Sequence, residues 1–382
     1  MSAWKSVPLR EVATIERNAV GASKIENATT YVGLENIESG GKFVGVREVD
    51  AGELASNKFA FTDRHVLYGK LRPYLAKIAR PSFGGICSTD ILPVLAGQKL
   101  DRNYLAHFLL QPAMVDFANS RATGANLPRL SPRVLAEFQI PLPPLPEQRQ
   151  ISDVLDRADA LRAKRRAALA QLDSLTQSIF LDMFGDPVAN PKSWRLRKLS
   201  EVGALDRGVS KHRPRNAPEL LGGNHPLVQT GEVANCDAYI RSHNATYSDL
   251  GLRQSKLWPA GTLCITIAAN IAKTGILTFD ACFPDSVVGF TADDAATVQF
   301  VCVWLSFLQK ALEDSAPESA QKNINLAILR NLTIPVPPLA FQQIFARRIT
   351  TIEALKATHR AALVELDALF ASLQHRAFRG AL

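Results

Sequence analysis

Basic side chains grouped with aromatic ones are the residues of this sequence whose types and spacing could do chemistry. In the first half, the segment Tyr68–Lys77 holds three cations and two tyrosines. Its cations could reach phosphate groups or base edges, and Tyr74 offers a ring for stacking or van der Waals contact. In the second half the cationic cluster is Lys211–Arg215, in a segment where Pro214 excludes a helix interior. Both segments favour binding of a polyanion.

Further candidates occupy corresponding places in the two halves. Asn270 and Lys273 stand in the second half about where the Lys70 segment stands in the first, and basic or amide residues lie in the loops that close each half. Any one of them could instead be a solvated charge, a turn residue or, for Tyr74, a core aromatic. The candidate binding residues are Lys70, Arg72, Tyr74, Lys77, Arg121, Arg129, Lys211, His212, Arg213, Arg215, Asn270, Lys273, Lys322 and Asn323.

The motifs of common catalytic sites are missing from the sequence. There is no P-loop, no G-x-G-x-x-G after a strand, no G-x-S-x-G and no H-E-x-x-H. The prolines at 141–144 and 335–338 lack the Asn or Asp and the aromatic residue of an adenine-methyltransferase motif. We therefore predict no catalytic residue and no cofactor of the chain's own.

Histidine and cysteine usage gives no metal site. The seven histidines are scattered, and His212 and His225 would need further ligands that the sequence does not show. The five cysteines are odd in number, widely spaced and without a C-x-x-C pair. This pattern predicts free thiols in a reducing compartment and no bound metal.

Length and composition describe a folded protein with more than one domain. The 382 residues are too many for one ordinary core, and 47% hydrophobic with 21% charged residues is typical of globular proteins. No apolar run approaches the roughly 20 residues that span a bilayer, and no signal core opens the chain. We predict a cytoplasmic protein with no membrane partner. The net charge of +8 suits a polyanionic partner without proving one.

A long internal repeat organises the chain. Ile140–Leu145 reads Ile-Pro-Leu-Pro-Pro-Leu and returns as Ile334–Leu339, Ile-Pro-Val-Pro-Pro-Leu, and Trp4–Val12 resembles Trp194–Val202. Each half is thus a globular part followed by a proline-rich segment and a long helix. The predicted domains are a globular domain at 1–140, a proline segment with helix at 141–185, a second globular domain at 186–334, and a second proline segment with helix at 335–382.

The globular parts mix strands with helices. Short β-rich runs lie among Gly and Pro turns, and amphipathic helical segments follow at Asp101–Ser120 and Ala295–Asp314. The predicted fold class is therefore mixed α/β (α+β). It has two pseudo-symmetric globular domains joined by two long helices.

The two long helices share an apolar stripe. More than thirty residues without Pro or Gly follow Pro146, and Gly185-Asp186-Pro187 predicts the end of the first helix. Steps that alternate between three and four residues predict a coiled coil of the two helices, although each helix could instead pack on its own domain. Arg165 and His359 interrupt the stripe and could face each other as a polar layer. The predicted seam is Val154, Ala158, Leu161, Arg165, Leu172, Leu175, Ile179, Ile352, Leu355, His359, Leu366, Leu369 and Leu373.

These features resemble the specificity subunit of type I restriction-modification enzymes. The resemblance rests on Pro141–Ile151 leading into a helix that closes with Met183–Pro187, and on the repeat Ile334–Leu339. Further similarity lies in the globular parts, at Trp4 with Leu9, Trp194 with Leu199, Gly261–Ile267 and Ser286–Phe290. The resemblance implies two target-recognition domains, each reading one half of a split DNA sequence. Two helices in an antiparallel coiled coil would set the gap between the halves.

The same resemblance implies the partners. They would be double-stranded DNA with a bipartite site, two methyltransferase subunits that bring S-adenosylmethionine, and a restriction and translocase subunit. ATP and Mg would also belong to partner subunits. The second proline segment continues as Ala340–Gln343 where the first has Pro146–Arg149, so the two docking surfaces could be unequal. The alternative function is a protein-assembly scaffold without its own DNA readout.

Overall fold

A computed structural model describes residues 4–268, 271–315 and 324–382 of the protein, except for the side chains of 310, 311 and 313–315. The chain forms two compact units. Unit 1 is Met1–Ala167 with Arg360–Leu382, and unit 2 is Ala168–His359. Each unit therefore combines one globular part with the first half of one long helix and the second half of the other.

The globular part of unit 1 is built mostly from short strands. Its strands are β1 (Ser6–Pro8), β2 (Ala13–Ile15), β3 (Ala19–Val20), β4 (Thr29–Val32), β5 (Arg47–Val49), β6 (Lys58–Phe61), β7 (His65–Gly69), β8 (Ile78–Ala79), β9 (Gly85–Cys87), β10 (Ile91–Ala96) and β11 (Gln139–Pro141). Its helices are α1 (Arg102–Leu109), α2 (Pro112–Ser120), α3 (Pro132–Ala136) and the first part of α4 (Leu145–Phe184).

The strands of unit 1 form three sheets, ordered β2-β10-β7-β8, β3-β6-β9-β4-β5 and β1-β11. In the small sheet Val7 pairs with the buried Ile140, and Leu142 N donates to Lys5 O over 3.0 Å. The proline segment is therefore held as an edge strand, where the missing N–H groups of its prolines cost no ladder bonds.

Helices α1 and α2 correct one sequence prediction. A single helix was expected over Asp101–Ser120, and Asp101 does cap α1 by accepting bonds from Asn103 N and Tyr104 N. The helix nevertheless ends at Leu109, and a second one starts at Pro112. Proline lacks the N–H that would continue the ladder but suits the first turn of a new helix.

Unit 2 repeats this plan. Its strands are β12 (Arg195–Lys198), β13 (Ala204–Arg207), β14 (Leu221–Leu227), β15 (Tyr239–Ile240), β16 (Ala245–Tyr247), β17 (Leu257–Trp258), β18 (Leu263–Thr266), β19 (Thr274–Leu277), β20 (Ala281–Cys282), β21 (Val287–Thr291) and β22 (Thr333–Val336). Its helices are α5 (Thr230–Ala234), α6 (Asp249–Arg253), α7 (Ala295–Ser315), α8 (Leu326–Asn331) and the first part of α9 (Leu339–Ala377).

The sheets of unit 2 correspond to those of unit 1. They are ordered β13-β21-β18-β19-β15, β16-β14-β20-β17 and β12-β22. In the β12-β22 sheet Ile334 pairs with Arg197, just as Ile140 pairs with Val7 in the β1-β11 sheet. The repeated Ile-Pro-x-Pro-Pro-Leu sequence therefore has one structural role in both units. It closes a two-stranded sheet and then starts a long helix.

The halves of the two long helices run antiparallel within each unit. In unit 1, Leu155 of α4 shares a core with Ala377 of α9, and farther along Arg162 bonds Asp367. In unit 2, Asp173 of α4 bonds Lys356 of α9. Thus the predicted mixed α+β fold, with two repeated domains and two packed helices, is confirmed. The four predicted domain boundaries remain predictions, because the compact units divide both helices in the middle.

The predicted apolar seam needs correction at four leucines. Leu161, Leu175, Leu355 and Leu369 have exposed fractions of 50, 43, 48 and 49%. The buried stripe runs beside them and includes charged groups, among them Lys356 at 5% exposure. Periodicity alone assigns such charges to solvent, yet paired charges can lie inside a helix interface.

The other seam positions are more enclosed. Ala158 and Ile352 are buried, and the remaining ones are half-buried, namely Val154, Arg165, Leu172, Ile179, His359, Leu366 and Leu373. Arg165 belongs to unit 1 and His359 to unit 2, and their facing each other stays a prediction. None of the helices in the described ranges is long and apolar enough to cross a membrane.

Candidate nucleic-acid interface

In unit 1 the candidate residues lie on two loops that are bonded to each other. One is the loop 70–77 between β7 and β8, and the other is the loop 121–130 between α2 and α3. Arg72 N donates to Pro128 O over 2.7 Å, and Leu130 N donates to Lys70 O over 2.9 Å. The structure therefore brings together five of the predicted residues, Lys70, Arg72, Tyr74, Arg121 and Arg129.

The first of these loops has an unusual backbone. Arg72 (φ 51°) and Ala76 (φ 47°) both adopt the left-handed conformation on either side of a 3₁₀ turn, Pro73–Leu75. This conformation costs a non-glycine residue roughly 1–2 kcal/mol and persists only where surrounding bonds impose it. The turn presents Tyr74, with 51% of the residue exposed.

One carboxylate neutralises part of the charge on these loops. Arg129 forms a bidentate pair with Asp90, with distances of 2.9 and 3.2 Å, and Lys70 Nζ lies 3.9 Å from the same carboxylate. The guanidinium of Arg121 stacks on the Phe117 ring at 3.5 Å from its centroid. In the described part of the chain Arg72 has no ion pair. The surface thus carries four cations and the one carboxylate of Asp90, so its charge is positive.

Lys77 does not belong to this surface. Its Nζ donates to the carbonyl of Leu34 over 2.6 Å, and its side chain is half-buried. Because this bond and the partial burial restrict the side chain, we assign Lys77 to the support of the loop and not to the contact surface for which it was predicted. Its ammonium group instead anchors the loop.

In unit 2 the segment Lys211–Arg215 forms a second cationic loop. The side chain of Gln254 holds its backbone by accepting bonds from Lys211 N (2.7 Å) and His212 N (3.1 Å). Arg213 Nη1 donates to Ser210 O over 2.6 Å, which orients the guanidinium. Lys211 itself is exposed and makes no ion pair with any described residue.

A single carboxylate also sits among the cations of unit 2. Asp285 pairs with Arg215 and lies 3.5 Å from Arg213. Its carbonyl oxygen accepts two bonds from Arg207, of 2.9 and 2.7 Å. The Asp285 carboxylate thus contacts two cations, Arg213 and Arg215, as the Asp90 carboxylate contacts two.

The β18–β19 hairpin of unit 2 occupies the place that loop 70–77 has in unit 1, whereas the cationic loop 211–215 follows β13, the counterpart of β2. Lys70 N donates to Asp90 O in unit 1, and Ile267 N donates to Ser286 O over 3.0 Å in unit 2. Ile324 N donates to Ile267 O over 3.1 Å, as Leu130 N donates to Lys70 O in unit 1. The repeat of the sequence therefore extends to the geometry of the loops.

Of the remaining second-half candidates, Lys273 is described, and it lies in the turn of the β18–β19 hairpin. Lys273 is half-buried, and its backbone bonds Thr266, next to a left-handed Ala272 (φ 56°) that matches Ala76. Asn270, Lys322 and Asn323 lie outside the described residues. Of the second-half candidates, Lys211, His212, Arg213 and Arg215 are thus brought together.

Sequence reasoning missed the residues that hold these loops in place. They are Asp90, Phe117, Arg207, Gln254 and Asp285. The repeat could have pointed to two of them, because Asp90 and Asp285 stand just before corresponding strands of the two units, β10 and β21. No signal pointed to Gln254, which acts through a contact that only the folded chain creates.

The described residues show little that could hold a metal or act as a nucleophile. They contain no group of three His, Cys, Asp or Glu side chains placed around a common point. Burial raises the pKa of the Cys87 thiol to about 12 and that of Cys302 to about 11. These thiols are therefore protonated near neutral pH, as inert structural cysteines are.

A comparison with protein families agrees with the repeat. The sequence model of the type I restriction modification DNA specificity domain matches residues 1–171 and again residues 191–367. The chain belongs to this family. The predicted resemblance is confirmed, and each match covers one globular part with much of its helix.

Specificity subunits are also among the relatives of the chain. It is 33% identical over 135 residues to the EcoDI specificity subunit of Escherichia coli, a match that covers 34% of this chain and 30% of that one. It is 24% identical over 321 residues to the EcoBI specificity subunit, also of Escherichia coli, covering 74% and 66%. The chain thus matches less than two thirds of the length of either relative.

The fold is shared with a solved specificity subunit. The type I restriction-modification S subunit from M. genitalium superposes with a TM-score of 0.63 at 12% identity, over 98% of this chain and 96% of that one. At this identity the likeness concerns the fold alone. It matches the two repeated α+β parts and long helices of the present chain.

Proposed function

We propose that this chain is the non-catalytic DNA sequence-recognition subunit of a type I restriction-modification complex. The observation that carries the proposal is a cationic surface on each of the two like units, on loops 70–77 and 121–130 in unit 1 and on loop 211–215 in unit 2. Each surface combines several cations with one carboxylate, and hydrogen bonds to other segments of the unit hold its loops. Two like surfaces in one chain suit a DNA site with two separate halves.

The proposed mechanism divides the contacts into two kinds. Exposed cations, such as Arg72 in unit 1 and Lys211 in unit 2, bind phosphates and fix the position of each unit on the duplex. Other side chains on the same loops reach base edges in the groove and supply sequence preference. Asp90 and Asp285 hold neighbouring arginines in place until a phosphate competes for them.

The proposed complex supplies the chemistry from other chains. Two methyltransferase subunits would bring S-adenosylmethionine, and a restriction and translocase subunit would use ATP and Mg to move along DNA and cut it. This chain would contribute sequence recognition and the docking helices. Family membership and the relatives named as type I specificity subunits support these partners.

The long helices are proposed to set the gap between the two DNA half-sites. Four residues added to one helix lengthen it by about 6 Å, at about 1.5 Å per residue. Because DNA rises about 3.4 Å per base pair, the preferred gap should change by roughly one or two base pairs. An unchanged gap in the selected sites would show that the helices do not set it.

Selection of duplexes from a random pool tests the function directly. The full chain, assembled with its methyltransferase subunits, should enrich one bipartite site. Lys211→Ala combined with Arg215→Ala should weaken the preference in one half of that site. A matched control is Arg195→Ala with Lys198→Ala, which removes two exposed cations of unit 2 on β12, outside the cationic loop.

A scaffold without DNA readout would behave differently in this experiment. It would assemble normally with its partners and enrich no site. The loop variant and the control variant would then be indistinguishable. That result would refute the proposed function and favour the scaffold.

A further inference from the structure

The cationic surface of unit 1 has an apolar centre. Four large hydrophobic residues are exposed there, Tyr74 at 51%, Leu75 at 36%, Phe117 at 37% and Leu127 at 46%. Single exposed hydrophobic residues are common, but several grouped together mark a binding surface. These four lie on the joined loops and on α2, which packs against the Pro73–Leu75 turn.

The apolar centre is rigid before any ligand binds. Arg72 and Ala76 hold left-handed conformations around the turn, and Leu75 N donates to Arg72 O over 2.9 Å. Outside contacts fix both ends, since Arg72 N bonds Pro128 O and Gly40 N bonds Ala76 O over 3.1 Å. A turn that is ordered in advance loses little conformational entropy on binding, so its side chains can contribute to affinity.

The composition of this surface points to one feature of DNA. Cations lie on the same joined loops as these hydrophobic residues and can bind phosphates. In the major groove the one apolar group that a base pair presents is the C5 methyl group of thymine. We propose that Tyr74 and Leu75 read thymine in the half-site bound by unit 1, by packing against its methyl group. This inference rests on the proposed function and names the base feature that this surface reads.

Unit 2 provides an internal comparison. Its cationic segment, Lys211–Arg215, carries no large aliphatic or aromatic hydrocarbon side chain. Proline and histidine are its only uncharged or weakly charged members. Dependence on a thymine methyl group should therefore be a property of the half-site that unit 1 binds.

The test uses deoxyuridine, which lacks only the methyl group of thymine. The full chain with its methyltransferase subunits is titrated with the selected bipartite duplex, in which thymines are replaced one at a time. The half-site of unit 1 is the one whose preference survives Lys211→Ala with Arg215→Ala. At one thymine of that half-site the replacement should lower affinity about fourfold, the effect of burying one methyl group.

Variants of Tyr74 and Leu75 test whether the side chains of the turn cause this loss of affinity. In Tyr74→Ala with Leu75→Ser, thymine and deoxyuridine duplexes should bind equally well. Tyr74→Phe keeps the ring and should keep the fourfold difference. The control Val188→Ala, which truncates a residue exposed at 77% outside both loop sets, should also keep it.

Several results would overturn the inference. The first is a half-site of unit 1 that contains no thymine. The second is equal affinity of the wild type for the thymine and deoxyuridine duplexes. The third is a difference in affinity that stays undiminished in Tyr74→Ala with Leu75→Ser. Loss of the difference in Tyr74→Phe would assign the effect to the hydroxyl group and overturn it too. Any of these leaves bipartite binding, and thus the proposed function, intact. Absence of any bipartite preference would instead refute both.

Discussion

A buried ion cluster between the two long helices makes a strong prediction about stability. In unit 2, Lys356 Nζ lies 2.6 Å from Asp173 Oδ1 on α4 and 3.0 Å from Glu353 Oε1 on its own helix. The side chains of Lys356 and Glu353 are only 6 and 9% exposed. Removing Lys356 would leave the Glu353 carboxylate buried, with Arg241 at 3.4 Å as a remaining partner.

The expected magnitude follows from this burial. Breaking a buried pair from one side typically costs about 3–5 kcal/mol, because the other charge stays in a poorly solvated place. We expect Lys356→Met to lower the free energy of unfolding of unit 2 by about 3 kcal/mol. Adding Glu353→Gln removes the buried carboxylate that lost Lys356 and should recover much of that stability.

The assay is urea unfolding followed by tryptophan fluorescence. Trp194, Trp258 and Trp304 all belong to unit 2, so the signal reports mainly on that unit. The matched control in the same unit is Arg197→Ala, which removes a cation 3.6 Å from Glu201 with its side chain 41% exposed. Exposed pairs contribute about 0–1 kcal/mol. A destabilisation in Lys356→Met no larger than in the control, or no recovery in the double variant, would refute the reasoning.

Three further predictions concern other parts of the molecule. Arg72→Ala with Arg121→Ala should reduce the slope of log affinity against log salt by about 0.9 for each phosphate that is no longer neutralised, measured by DNA titration at several salt concentrations. Partial burial raises the pKa of Asp156, but bonds from His107 and Arg80 more than offset it and hold the pKa well below its usual range. The Asp156 carboxylate therefore stabilises the fold above about pH 4, and this stabilisation is lost as the pH falls further. The unfolding free energies of the wild type and Asp156→Asn should therefore converge in acid. Cys87, which is buried with its pKa raised to about 12, should resist iodoacetamide at about pH 8 in the native protein and react once urea unfolds it, as read by mass spectrometry.

Elements marked by strong local signals were predictable from the sequence. Helix α4 ends at Phe184, just before Gly185, as the sequence Gly185-Asp186-Pro187 predicted. The proline repeat predicted two like halves because proline restricts the local chain in both copies. The break at Pro112 was missed because the apolar pattern of Asp101–Ser120 continues across it and outweighed the single proline.

Features that depend on tertiary contacts were less predictable. The stripe that packs the helices contains Lys356 and Arg162, which a periodicity argument assigns to solvent because it cannot see their carboxylate partners. Lys77 looked like the other basic residues of its loop until its bond to the Leu34 carbonyl was visible. The joining of loops 70–77 and 121–130 rests on backbone bonds, which no residue type encodes.

The central claim is that each unit reads one half of a bipartite DNA site. Mapping methylated adenines in a host that expresses the chain with its methyltransferase subunits tests this claim most directly. The wild type should yield one split motif, and Lys211→Ala with Arg213→Ala and Arg215→Ala should relax one half of it while the other half stays unchanged. Absence of a split motif, or equal relaxation of both halves, would contradict the account.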